Sequence, residues 1–86
     1  MRHDRADAEQ ASCTAVAQFL GGNPWHKPGF VVREVLNPRP SGNVTLDAAT
    51  RLLAAALRAD DDAEANLAES RVSSVCSALG MWQPRH

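Results

Sequence analysis

Apolar residues recur along this chain at helical spacing, three and four residues apart, more often than at the two-residue spacing of a strand. Over residues 6–20, Cys13, Val16, Phe19 and Leu20 fall on one side at 100° per residue, with Ala8 and Ala15 at its edge and Asp7, Gln10, Thr14 and Gln18 opposite. Asp4 reads as the cap of this helix and Gly21-Gly22 as its stop. Residues 46–59 carry the broadest stripe, Leu46, Ala49, Leu52, Leu53, Ala56 and Leu57. Thr45 reads as its N-cap, and Asp47 with Arg51 as an i,i+4 ion pair in the favoured orientation. Over residues 62–79 the apolar face is Ala65, Ala68, Val72, Val75, Cys76 and Leu79; Asp61 with Glu64 three positions on forms a capping-box pattern, and Gly80 is the stop. Phe19, Leu53 and Val75 sit in the middle of their stripes and are expected to be almost fully buried.

Two segments break the helical pattern. Residues 21–29, GGNPWHKPG, hold three glycines and two prolines and predict a stiff, turn-rich loop that carries Trp25, His26 and Lys27. Residues 30–36, FVVREVL, fit either a strand, on their β-branched content, or a short helix. As a strand their local partner is Val44-Thr45-Leu46, and an isolated hairpin of that size is marginal; the helical neighbours favour helix. The expected fold is therefore mostly α: one domain over residues 1–86, a small bundle of three main helices with a short fourth element, helix or β-hairpin, within 30–46.

Composition agrees with this reading. Alanine, the strongest helix former, supplies 15 of 86 residues, and isoleucine and tyrosine are absent. At this length the hydrophobic gain and the conformational entropy nearly cancel, so a partner, a second copy or a disulfide would add needed stability. A formal net charge of −1 gives no global field toward nucleic acid or an anionic membrane. The longest formally uncharged stretch, residues 10–26, is broken by Gly21, Gly22 and Pro24 and reads as no membrane span. The first residues mix charges of both signs without an apolar leader, which predicts a cytoplasmic protein. In that setting Cys13 and Cys76, on core-facing stripes and without a metal or redox spacing, are expected as buried reduced thiols, near one another and unbonded.

Few residues invite chemistry. His3 and His86 lie at the termini, His26 has no carboxylate nearby in sequence to orient it, and no nucleophile-elbow, P-loop or zinc motif occurs. No enzyme, cofactor or metal is expected. Three features point instead to contact surfaces. Ser70, Ser73, Ser74 and Ser77 form a row on the 62–79 helix, where small hydroxylated side chains admit another backbone and Leu67 adds an apolar contact. Asp60, Asp61, Asp62 and Glu64 place four carboxylates at a helix N-terminus; they satisfy its free N–H groups and could face a basic surface. Trp25 and His26 sit in the stiff loop, and Trp82 is expected to cover the bundle end.

The functional expectation is a non-enzymatic module that binds a larger protein as an inhibitor, adaptor or accessory subunit. Its sharpest form is a phage- or plasmid-type inhibitor whose carboxylates cover a nucleic-acid-binding surface. A homodimer is a further expectation. The alternatives are a DNA-binding helix-turn-helix regulator, disfavoured because its recognition helix offers only Arg71, and a small subunit of an enzyme complex.

Overall fold

The computed structural model describes residues 4–21 and 29–81 as four helices, with no strand among the described residues: α1 Asp4–Gly21, α2 Gly29–Leu36, α3 Val44–Arg58 and α4 Asp62–Ala78. Trp25, His26, Lys27 and Trp82 lie outside the described residues. The ambiguous segment is the helix α2. It buries Val31 and Val35, one helical turn apart. Its would-be strand partner, Val44-Thr45-Leu46, is instead the first turn of α3.

α3 and α4 form an antiparallel hairpin, and α1 and α2 pack across it. Cys13 and Val16 of α1 meet Val35 of α2, Leu46, Ala49, Leu53 and Ala56 of α3, and Ala65, Ala68, Val72 and Cys76 of α4 in one core. Leu46, Leu53 and Val72 are fully enclosed. Phe19 and Val75 were expected to be equally buried but are only partly so, because each lies where its stripe meets the surface. Ala49, Ala56, Ala65 and Ala68 are all buried, and small side chains of this kind let helix axes approach closely.

Four further sequence expectations are corrected. α1 begins at Asp4, so Asp4 is helical and not a cap. The N-cap of α3 is Asn43 and not Thr45: the Asn43 Oδ1 accepts the Leu46 N–H at 3.1 Å. Asp47 lies in the first turn of α3, within reach of the preceding loop. There it bonds Ser41 instead of pairing with Arg51, which remains exposed. Cys13 and Cys76 are joined by a disulfide, with Cα atoms 5.9 Å apart, not reduced as expected. Both are almost completely buried. A cross-link over 63 positions contributes about 4 kcal/mol on the loop-entropy account, and it ties the first helix to the last.

Both ends of α4 follow their sequence signals. Asp61 caps α4 by accepting the Glu64 N–H at 3.1 Å. Gly80, at φ 75°, closes α4: its N–H reaches the Ser77 carbonyl while the Met81 N–H reaches that of Cys76, each at 3.0 Å. α3 ends the same way, with Asp60 in the glycine position at φ 55° and the Asp61 N–H on the Ala56 carbonyl at 2.9 Å. Arg58 Nη2 donates to the Leu36 carbonyl and to Asn37 Oδ1, both at 3.0 Å, and so neutralises the C-terminus of α2.

Candidate docking groove

The first turn of α3 has two unlike sides. The inner side, next to the buried Leu46 and facing the 41–43 segment and α1, is polar. Asp47 Oδ1 accepts the Ser41 hydroxyl at 2.8 Å and the Ser41 N–H at 2.9 Å. The Ser41 hydroxyl oxygen accepts the Asn43 N–H at 3.2 Å, and Asn43 Nδ2 donates to Glu9 Oε2 of α1 at 2.8 Å. Arg5 lies 3.5 Å from the same carboxylate. Glu9, Ser41 and Asp47 are buried. No buried side-chain nitrogen or oxygen among the described residues lacks a partner. Burial opposes charge on Asp47. The Ser41 hydroxyl, the Ser41 and Gly42 N–H groups and the field of Arg51 together outweigh it and hold the carboxyl below its ordinary value. Gly42, at φ 90°, supplies the left-handed backbone that brings these donors round.

The outer side is apolar and open. Val44 is 80% exposed and Leu67 of α4 52% exposed. Between them runs a groove floored by Ala48, Ala49 and Val75 and flanked by Ser70, Arg71 and Ser74. Val44 and Ala49 of α3 and Ser74 and Val75 of α4 line this groove together. A third region, a crevice of about 200 Å³ between α1, α2 and the 37–40 segment, is lined by Ala8, Ala11, Val35, Pro38, Pro40 and Leu53. It is smaller than the roughly 300–1,000 Å³ of typical ligand pockets.

The structure divides the candidate residues. Ser70 and Ser74 line the groove beside Leu67, as the sequence suggested. Ser73 is half-buried and, with Leu20, Asn66 and Glu69, lines an adjoining shallow depression that Ser70 and Ser74 also border. Ser77 is exposed and lines neither. Asp60, Asp61, Asp62 and Glu64 are all exposed in the α3–α4 connection and first turn of α4, with Asp61 serving as the cap. Trp25 and His26 lie outside the described residues. Sequence reasoning missed Val44, Thr45 and Ala48. Reading Thr45 as the cap left Val44 outside the helix, whereas Asn43, two positions earlier, is an equally strong N-cap signal. Among the described residues no group of histidine, cysteine and carboxylate side chains is arranged to hold a metal ion, and no helix is long and apolar enough to cross a membrane. Comparison with known proteins finds no matching family model, no matching curated protein and no matching solved structure.

Proposed function

We propose that this chain is a non-enzymatic protein-binding module whose working surface is the α3–α4 groove, acting as an inhibitor, adaptor or accessory subunit. One observation carries the reading. The described residues satisfy their buried polar groups and enclose a core, yet leave Val44 and Leu67 in water beside a row of small side chains. Exposed apolar side chains gathered in one groove, with little bulk to obstruct approach, suit a partner's helix. Arg71 at the edge and the positive end of α3 select a helix with acidic residues.

The disulfide supports an oxidising compartment over the cytoplasm read from the sequence, since cytosolic thiol systems keep such pairs reduced. The test is affinity capture from extracts of the native host, comparing the wild-type chain with Leu67→Arg at equal helicity. Loss of the captured protein on substitution is the expected result, with no free thiol on the recovered chain under denaturing conditions. Capture that survives Leu67→Arg removes the groove from the reading. Binding of duplex DNA with a steep salt dependence would replace the reading with that of a DNA-binding regulator.

A further inference from the structure

We infer that the occupant of the groove is a second copy of this chain, packed α4 against α4 in antiparallel orientation about a two-fold axis at Leu67; this rests on the docking reading above and names its partner. The outward face of α4 is Ala63, Glu64, Leu67, Ser70, Arg71 and Ser74, all exposed and spaced three and four apart. Charge is divided along it. The entry to the helix is acidic, with Asp60, Asp61, Asp62 and Glu64, and no carboxylate follows Glu69. Arg71 stands in the C-terminal half and forms no ion pair among the described residues.

Such a face is complementary to itself when reversed. Glu64 and Arg71 are seven residues apart, so each lies about 5 Å along the helix from the point midway between them. A two-fold axis through that point sets Glu64 of each copy against Arg71 of the other and brings the two Leu67 side chains together at the crossing. The same operation lays the acidic first turn of one α4 over the groove of the other copy, near the positive end of its α3 and beside Val44. Ser70, Ser74, Ala48 and Ala63 are small enough for the backbones to approach. The acidic cluster and Ser70 with Ser74 of the serine row thus become the two halves of one interface.

Sedimentation equilibrium of the full oxidised chain tests this. The wild type is expected as a concentration-dependent dimer. Arg71→Glu and Glu64→Arg each oppose like charges at both ends of the interface and should weaken it on the order of 100-fold. An equimolar mixture of the two variants restores both attractive pairs and should form a heterodimer, visible by native mass spectrometry. A foreign partner's groove would show no such mutual rescue. Leu67→Arg serves as a second disrupting variant, since it leaves the first turn of α4 intact if Glu64→Arg impairs folding. A wild-type chain that stays monomeric at about 1 mM, charge reversals that leave the dimer unchanged, or a mixture without rescue each overturn the homodimer. A monomeric chain that still loses its captured partner on Leu67→Arg overturns the homodimer alone and leaves the docking reading standing. Capture that survives Leu67→Arg overturns the docking reading.

Discussion

Beside Leu46, which is buried in the usual way, the first turn of α3 has two sides that invert the usual distribution of polarity. Toward the interior stand Asn43, Asp47, Ser41 and Glu9, a polar set that a core would ordinarily exclude. Toward solvent stand Val44 and, across the groove, Leu67, which a core would ordinarily take in. The inner set is tolerated because every member is bonded, and it joins α1, the 37–43 segment and α3 in register. The outer pair has no such compensation among the described residues. Polar residues here serve the fold, and apolar residues are left at the surface, where a partner can cover them.

The largest effects should separate two leucines of identical chemistry. Leu53 is fully enclosed between α3 and its neighbours, whereas Leu67 is half in water. Leu53→Ala is expected to cost about 2–5 kcal/mol of stability, the removed methyl groups plus the cavity they leave. Leu67→Ala should change the stability of the monomer by less than about 0.5 kcal/mol. Urea denaturation of both variants at a concentration where any dimer is dissociated measures the difference. Similar losses at the two positions would erase the distinction between an enclosed side and an open one.

How far the sequence reveals these two sides depends on the range of the interactions involved. Helix periodicity and local caps are encoded within a few residues. The stripes of α1, α3 and α4, the Asp61 cap and the Gly80 stop were accordingly legible. Leu67, Ser70 and Ser74 could be grouped because they share one helix. Val44 could not be joined to them, since its contact with α4 is created by antiparallel packing and not by spacing along the chain. The polar junction was missed for a related reason: Glu9 and Asn43 are 34 positions apart, and nothing local marks Glu9 as buried. Cys13 and Cys76 were correctly placed on core-facing stripes, but their bond follows from the Cα separation, which spacing along the chain does not carry.

The inner side can be probed through pH. The folded state holds Asp47 below its ordinary carboxylate value of 3.8, so its stabilisation is complete above that value. It is lost as pH falls through the lowered, folded-state value. Asp47→Asn removes the charge that organises Ser41 and Gly42, at an expected cost of about 1.5–3 kcal/mol at neutral pH. The variant should also show a shallower loss of stability on acidification than the wild type. Denaturant midpoints measured from pH 7 downward would give converging curves for the two proteins. Parallel curves would mean that the Asp47 charge contributes nothing specific to the junction.

A small expected effect of the opposite sign lies at the α3–α4 connection. Asp60 occupies the left-handed position that closes α3, where a β-carbon is a steric burden that glycine at Gly80 avoids in the equivalent place. Asp60→Gly relieves that burden while enlarging the conformational freedom of the unfolded chain, so the net gain should be about 0.5–1 kcal/mol. The same substitution removes one carboxylate from the acidic entry to α4. A chain that becomes more stable while its self-association is unchanged would assign Asp60 to the turn alone and leave Glu64 as the charge that meets Arg71. A chain that becomes more stable but associates more weakly would place Asp60 within the docking surface, its strained backbone retained for the contact and not for the fold.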